Sequence, residues 1–226
     1  MNATQRVALV TGANKGIGRE IARQLARAGI SVIIGARDLG RAQVAVDDLA
    51  SHGLRVESLR IDLNDAVSIQ SAAEFIQANY GRLDILVNNA GIVDTHDGPP
   101  STAAPEAVRR IIETNFVGTL QVTQAMLPML RQSVAGRIVN VSSSLGSLTL
   151  NGDPTSKFYA VRLTGYNASK AALNMLTVLL AEELRGTSIV VNSISPRSCE
   201  NGSERASGRN RSGRGRDVAG RVRASW

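Results

Sequence analysis

Short apolar runs alternate with helix-length segments along the first 196 residues of the chain. The run Arg6–Thr11 reads RVALVT and meets a glycine, and Ser31–Ala36 reads SVIIGA. Between them, apolar residues recur at helical spacing from Gly16 to Gly29. Neither run alternates between apolar and polar residues, so both faces of each strand must be covered. This order predicts a parallel sheet with helices on both sides.

The alternation continues through four more predicted strands. Because strands and helices alternate throughout, the sequence predicts an α/β fold: a Rossmann-type, doubly wound parallel sheet in a single domain, with six recognisable strands. The further strands are expected at 54–62, 83–91, 136–144 and 188–195, and the further helices at 41–52, 65–80, 105–132 and 166–185. Pro128 should kink or end the long helix, and 145–165 reads as a loop.

The composition changes abruptly after Pro196. Residues 197–226 contain eight arginines and three acidic residues, so they supply +5 of the net charge of +7. Few aliphatic residues there could offset the entropy of ordering, which predicts a disordered tail. Arginines attract phosphate, but only Trp226 could stack on a base, and we expect no nucleic-acid partner. The predicted division is a nucleotide-binding domain over 1–196 and a tail over 197–226.

The cellular setting is predicted from what the chain contains. It has one cysteine, so no disulfide can form within it, and its first strand pattern begins within six residues of the start. No apolar run approaches the roughly 18–20 residues that a membrane helix needs. We therefore expect a cytoplasmic protein without a membrane partner. The two histidines are not clustered with other ligand residues, so no metal site is expected.

A glycine-rich turn, TGANKGIG, joins the first strand to the first helix. Gly12 suits a tight turn, and Gly16 and Gly18 allow a close approach of backbone to a pyrophosphate. The helix that follows presents free N–H groups and a partial positive charge. The turn predicts a site for a phosphate-bearing nucleotide.

This turn and three further motifs resemble the short-chain dehydrogenase/reductase family. The motifs are NNAG at Asn88–Gly91, NVSS at Asn140–Ser143 and YNASK at Tyr166–Lys170, in the order that the family has them. The resemblance runs from Val7 to Pro196. It implies a seven-stranded Rossmann-type sheet and hydride transfer between NAD(P) and a small carbonyl or alcohol substrate.

The cofactor is expected to be NADP(H). An acid at the end of the second strand would repel the 2′-phosphate of NADP, whereas this chain has Arg37 there and Lys15 in the glycine turn. Asp38 competes with this reading, because NADH would be preferred if Asp38 pointed inward. The resemblance implies cofactor contacts from the glycine turn, from the ends of three strands and from the catalytic pair: Gly12, Asn14, Lys15, Gly16, Ile17, Gly18, Arg37, Asp62, Leu63, Asn88, Ala90, Gly91, Tyr166 and Lys170.

Tyr166 and Lys170 form the expected catalytic pair. They are four residues apart at the start of a helix, so their side chains share one face. A phenol with a pKa of about 10 needs help to exchange protons at neutral pH, and a neighbouring ammonium stabilises its phenolate. The resemblance implies that Tyr166 is the acid/base, that Ser143 binds the substrate oxygen, and that Asn115 anchors a water linked to Lys170.

Two departures from the family affect the predicted function. Ser143 and Tyr166 are 23 positions apart, further than in most members, which indicates a carbonyl-reductase-like member and leaves the oligomeric state open. After Pro196, Arg197 replaces the family's glycine, and the segments that cover the substrate and form the seventh strand are not recognisable. The C-terminus thus reads as atypical or truncated. An NADP(H)-binding protein with little or no turnover is the alternative to an NADPH-dependent reductase.

Overall fold

The computed structural model describes residues 5–196, which form a parallel sheet with helices on both faces. The strands within this range are β1 Val7–Thr11, β2 Ser31–Ala36, β3 Val56–Arg60, β4 Ile85–Asn88, β5 Arg137–Val141 and β6 Val190–Ile194. The α-helices are α1 Gly16–Arg27, α2 Leu39–Ala50, α3 Ala66–Tyr80, α4 Pro105–Ile112, α5 Thr119–Leu130, α6 Leu148–Gly152 and α7 Thr164–Glu183. The predicted Rossmann-type, doubly wound architecture is confirmed for these residues.

The order of the strands in the sheet determines where a ligand-binding crevice can form. The order is β3-β2-β1-β4-β5-β6, so the chain leaves β1 in one direction for β2 and β3 and returns to its other side for β4. Helices therefore diverge from the carboxyl ends of β1 and β4, and a crevice opens between them. In open α/β sheets ligands bind at this point.

Two apolar cores hold the helices against the sheet. Alternate residues of β1 point to opposite faces: Leu9 packs with α3, α5 and α7, whereas Ala8 and Val10 pack with α1 and α2. The buried hydrophobic residues of the described range are aliphatic apart from two methionines of α5. Aliphatic side chains are buried on both faces of β1, β2 and β4, which explains why these strands read as continuous apolar runs.

The long helical region differs from its predicted form. A six-residue π-helical segment, Glu113–Gly118, separates α4 from α5. Pro128 does not stop α5 at that residue, since the helix continues to Leu130. The region predicted as a loop contains a 3₁₀ turn at Ser144–Gly146 and the short helix α6. Helical periodicity cannot reveal a π segment, because its wider turn involves too few residues to change the pattern.

A chain of buried polar side chains crosses one face of the sheet. Asn88 at the end of β4 donates to Thr123 of α5 at 2.9 Å and to Asn140 of β5 at 2.9 Å. Asn140 in turn donates to Thr177 of α7 at 2.8 Å. Buried amides need such partners, and here the partners lie on two helices. The chain of bonds, called the asparagine bridge below, joins α5, the sheet and α7.

The predictions for the end of the chain lie outside the described residues. These are the disordered tail at 197–226, the division of the chain at Pro196, the atypical or truncated C-terminus and the absence of a seventh strand. They stay predictions.

Candidate active site

The glycine turn and the strand ends line one cleft of about 540 Å³. Gly12 has a φ of +66°, and a Cβ there would lie 2.8 Å from the Cα of Ala90, so no larger residue fits this approach of β1 to β4. Gly16 has a φ of +57° and open space where a side chain would be. The turn therefore packs against Ala90 at Gly12 and leaves free space beside the backbone at Gly16. A phosphate group needs such free space to approach the backbone N–H groups.

Hydrogen bonds fasten the glycine turn to the NNAG segment. Thr11 Oγ1 accepts from the backbone N–H groups of Asn89 at 3.0 Å and Ala90 at 3.1 Å. The Asn89 side chain donates to the Thr11 carbonyl at 2.8 Å. Ala90 and Gly91 then form part of the cleft wall. The two motifs, which are far apart in sequence, act as one rigid edge.

Asn88 lies elsewhere than expected. The residue is only 3% exposed, its amide belongs to the asparagine bridge, and its Oδ1 is buried without a hydrogen-bond partner among the described residues. The neighbouring Asn89 lines the cleft instead. The Asn88 side chain thus supports the site from inside the sheet, and the contact of Asn88 with the cofactor stays a prediction. Along β4 successive side chains point to opposite faces, and only the structure shows which of the two asparagines faces inward.

Positively charged side chains gather at the open end of the cleft. Lys15, Arg37 and Arg41 all line it and are exposed. Neither Lys15 nor Arg37 forms an ion pair with an acid of residues 5–196. Two unpaired cations at the carboxyl end of a parallel sheet form a site suited to an anionic group.

Asp38 caps the helix α2 at this end of the cleft. Its carboxylate is the N-cap of α2, accepting from the Arg41 N–H at 3.0 Å, and it also pairs with the Arg41 guanidinium at 3.3 Å. A carboxylate engaged in this way is less available to a ribose hydroxyl. Arg41 was not foreseen from the sequence. Its position three residues after Asp38, a residue type that commonly caps helices, could have indicated that Arg41 lies in the first turn of α2, near the cleft.

Asp62 and Leu63 follow β3 and also line the cleft. Asp62 Oδ1 accepts from the Asn64 N–H at 3.1 Å, which holds the turn after the strand. Gly118, the last residue of the π segment, packs directly on Leu63: a Cβ at Gly118 would lie 2.7 Å from the Cβ of Leu63. The π segment and the third strand therefore shape this part of the cleft together.

Ser143 and Tyr166 meet beside the cleft. Ser143 follows β5, and its hydroxyl accepts from the Leu145 N–H at 3.2 Å. Burial raises the pKa of Tyr166, and a hydrogen bond with Ser143 opposes that shift. The neighbouring serines have other partners, since Ser142 donates to the Lys170 carbonyl at 3.4 Å and Ser144 contacts Ser195 at 3.0 Å. Ser143 is thus the serine brought to the phenol.

Lys170 is a buried cation next to the phenol. The residue is 5% exposed, and its Nζ donates to the Val141 carbonyl at 2.8 Å. Nζ lies 5.6 Å from the centre of the Tyr166 ring and 3.7 Å from where a Cβ on Gly91 would be. Burial lowers the pKa of Lys170 to about 8. The lysine therefore joins α7 to the cleft edge and still carries its charge at neutral pH.

Asn115 sits in the π segment and is 1% exposed. Its side chain exchanges two hydrogen bonds with the backbone of Ile92, at 2.7 and 2.9 Å, and donates to Ser169 of α7 at 3.1 Å. A Cβ on Gly91 would lie 3.2 Å from Asn115 Oδ1. The structure thus brings Asn115, Lys170 and Gly91 together. A π segment frequently marks a functional site, and here it carries this asparagine.

Two further properties of the described residues bear on function. Among residues 5–196, no three histidine, cysteine, aspartate or glutamate side chains cluster closely enough to hold a metal ion. None of the helices in that range has the length and hydropathy needed to span a membrane.

The fold is that of a Rossmann-type nucleotide-binding protein, and a serine, a tyrosine and a lysine lie together beside its cleft. The family model for short chain dehydrogenases matches residues 6–211. The chain therefore belongs to the short-chain dehydrogenase/reductase family of oxidoreductases.

Relatives and solved structures agree with this assignment. The chain is 38% identical to the short-chain dehydrogenase anuI of Penicillium roqueforti, over 87% of this chain and 79% of that protein. It is 44% identical to carbonyl reductase [NADPH] 1 of Sus scrofa, over 67% of this chain and 51% of that protein, so the match spans about half of that relative. A short chain dehydrogenase from Escherichia coli CFT073, complexed with NADPH, superposes with a TM-score of 0.74 at 32% identity, covering 84% of this chain and 76% of that chain.

Proposed function

We propose that the protein is an NADPH-dependent reductase of small carbonyl compounds, of the carbonyl reductase type, with Tyr166 as the proton donor. The observation that carries the proposal is the convergence of four side chains from three separate segments. Ser143 follows β5, Tyr166 and Lys170 share one face of α7, and Asn115 lies in the π segment. Asn115 and Lys170 adjoin Gly91 at the edge of the cleft, and Tyr166 lies next to Lys170 and Ser143.

The residues of the cleft fit NADP(H). The open backbone at Gly16 admits a pyrophosphate, and Lys15 and Arg37 suit the 2′-phosphate. Asp38, the residue that could favour NADH, is held as a helix cap. Asp62 and Leu63 would meet the adenine, and Lys170 would hold the nicotinamide ribose. When bound, NADPH supplies the hydride for reduction. A solved relative binds NADPH, which supports the same choice here.

Tyr166 is suited to give a proton to the carbonyl oxygen. Burial raises its pKa, so the phenol is protonated at neutral pH. The Lys170 ammonium beside it stabilises the phenolate that remains after the proton has left. Ser143, in reach of the phenol, would donate a hydrogen bond to the substrate oxygen and orient it toward Tyr166. Asn115 would anchor a water through which Lys170 exchanges protons with solvent.

The segment between Ser143 and Tyr166 supports the carbonyl reductase type. It is longer than in most of the family and contains α6, and Asn167, next to Tyr166, donates to Asn151 at 3.3 Å and to the Val161 carbonyl at 3.1 Å. The inserted segment is therefore attached to the catalytic helix at both of its ends. The match to a carbonyl reductase of Sus scrofa supports the same reading.

The proposed function is tested by the oxidation of NADPH and NADH in the presence of an aldehyde, a ketone and a quinone. We expect turnover with NADPH and at least about a tenfold lower kcat/KM with NADH. Tyr166→Phe should lower kcat by about 1000-fold or more, because the ring is kept and the proton is lost. NADPH binding, measured by its fluorescence, should change less than about threefold.

Tyr159→Phe is the matched control, since it removes a phenol from the same segment that lies on the protein surface. It should retain the wild-type kcat. NADPH binding without turnover on any of the three substrate classes would contradict the reductase proposal and favour the alternative, a cofactor-binding protein. A preference for NADH would contradict the roles proposed for Lys15 and Arg37.

A further inference from the structure

The catalytic helix begins without a local cap. The residue before α7 is Leu163, whose side chain cannot accept a hydrogen bond. The first N–H groups of a helix have no partner within the helix, and here they belong to Thr164, Gly165 and Tyr166. Tyr166 is thus one of the residues whose backbone depends on a partner from outside α7.

Asp97, in the loop between β4 and α4, supplies that partner. Its Oδ1 accepts from the Gly165 N–H at 2.9 Å and its Oδ2 from the Tyr166 N–H at 2.9 Å. The Thr164 N–H donates to the Gly98 carbonyl at 3.0 Å, and the Thr164 hydroxyl donates to the same oxygen at 2.7 Å. All three uncapped N–H groups are therefore satisfied by two consecutive residues of a loop nearly 70 positions earlier.

This loop is itself held in place. Asp94 accepts two hydrogen bonds from Arg110 of α4, at 2.7 and 3.0 Å, and one from the His96 N–H at 2.9 Å. The start of α7 also packs closely on α4, because a Cβ on Gly165 would lie 3.0 Å from the Cα of Val108. The loop that carries Asp97 is therefore fixed by its own hydrogen bonds, and Asp97 can hold the first turn of α7 in place.

We propose that Asp97 is a positioning residue for Tyr166: its carboxylate caps the catalytic helix and sets the placement of the phenol against Ser143. The proposal rests on the proposed function, because it concerns the same proton transfer. It adds a residue of the β4–α4 loop to those on which the reaction depends. Misplacing a reacting group by about 1 Å can cost roughly 100-fold in rate. A frayed first turn would displace Tyr166 directly, since Tyr166 is its third residue.

The first experiment compares Asp97→Ala and Asp97→Asn with the wild-type chain. Asp97→Ala should lower kcat by about 10- to 100-fold while the Kd for NADPH changes less than about twofold, because Asp97 is not among the residues that line the nucleotide cleft. Asp97→Asn keeps one acceptor oxygen and should lose less. Glu106→Gln, which removes a charge from the exposed start of α4, is the control and should keep the wild-type kcat.

A rescue variant separates capping from general stability. Leu163 has the extended backbone of an N-cap residue, with φ −108° and ψ 96°. In Asp97→Ala, the added change Leu163→Asp places a carboxylate in the local cap position. It should recover at least about a third of the loss in log kcat. Wild-type kcat in Asp97→Ala, or a kcat loss that Leu163→Asp leaves unchanged, would overturn the proposal.

Hydrogen exchange gives a readout that does not need turnover. The amide of Tyr166 should exchange at least about tenfold faster in Asp97→Ala, whereas the amides in the middle of α7 should not change. If the wild-type chain oxidises no NADPH, the proposed function fails, and exchange alone then decides whether Asp97 holds Tyr166. Unchanged exchange at the first turn of α7 would overturn the proposal in either case.

Discussion

Lys170 keeps its charge where burial opposes it. The side chain is almost entirely enclosed, and its pKa is lowered from 10.5 to about 8 because the charged form is desolvated. Between about pH 8 and 10.5 the unfolded chain binds more protons than the folded one, so stability rises with pH through this window. Below about pH 8 the full cost is present, and it corresponds to about 3 kcal/mol.

Replacing this lysine should therefore stabilise the fold while it removes activity. We expect Lys170→Met to raise the free energy of unfolding at pH 7 by about 2 kcal/mol, since about 1 kcal/mol is lost where the Val141 carbonyl loses its partner. Urea unfolding at pH 7 and pH 10 measures this. The advantage over wild type should shrink at pH 10, and an advantage that is independent of pH would contradict the explanation.

The charge of Arg37 can be tested separately from that of Lys170. If it binds the 2′-phosphate, Arg37→Ala should raise the KM for NADPH by about 10- to 100-fold and leave the KM for NADH unchanged, because only NADPH carries that group. Arg55→Ala is the matched control. Arg55 lies before β3, at the other end of the strands, and bonds to Gln5. An equal rise in KM for NADPH and NADH would show that Arg37 does not bind the 2′-phosphate.

The site residues could be predicted to different degrees. Tyr166 and Lys170 were evident because a spacing of four residues on a helix puts both on one face whatever the rest of the fold does. Two other features were not evident from the sequence: the direction of the Asn88 side chain, and the use of the Asp38 carboxylate as the N-cap of α2. Each depends on a hydrogen-bond partner that the local sequence pattern does not determine. Asp97 was missed for the same reason: an aspartate in a polar loop carries no local signal that it caps a helix far along the chain.

At the scale of elements, the π segment connects α7, which carries the proposed catalytic residues, to the cleft. Asn115 in its middle reaches Ile92 and α7, and Gly118 at its end packs on Leu63 beside the cleft. An α-helix over the same residues would change the direction of every side chain after the segment. The segment therefore sets where both contacts are made.

Gly118→Ala tests this connection. The new methyl group would collide with Leu63, so we expect a loss of about 1–3 kcal/mol in the free energy of unfolding and weaker NADPH binding. The measurements are thermal unfolding and NADPH fluorescence. Gly152→Ala in α6, where a Cβ meets no atom within 4 Å, is the control and should have little effect. Equal effects of the two substitutions would contradict the close contact.

At the scale of the whole molecule, the asparagine bridge ties both halves of the site to the sheet. It joins α5, which continues from the π segment, to α7, which carries Tyr166 and Lys170. The bridge lies within the apolar core that α3, α5 and α7 share with the sheet. A polar link in such a core fixes one relative placement of the helices, because any other leaves buried amides unpaired.

Removing the middle of the bridge should be costly. We expect Asn140→Ala to lower the free energy of unfolding by about 2–4 kcal/mol, because Asn88 loses an acceptor, Thr177 loses a donor and a cavity forms. Asn79→Ala, at an exposed position of α3, is the control and should cost less than about 1 kcal/mol. Urea unfolding measures both, and equal costs would show that the bridge is not a support.

The sequence by itself determined the class of fold and predicted the chemistry of the site. Strand runs, helical spacing, the glycine turn and the Tyr166–Lys170 pair are local patterns, and local patterns follow from backbone geometry that is the same in every protein. The tertiary structure alone decided the π segment, the inward turn of Asn88, the helix cap made by Asp38 and the distant cap made by Asp97. Each of these is set by which hydrogen-bonding groups are left unpaired when the chain packs, and their partners are known only once the fold brings them together.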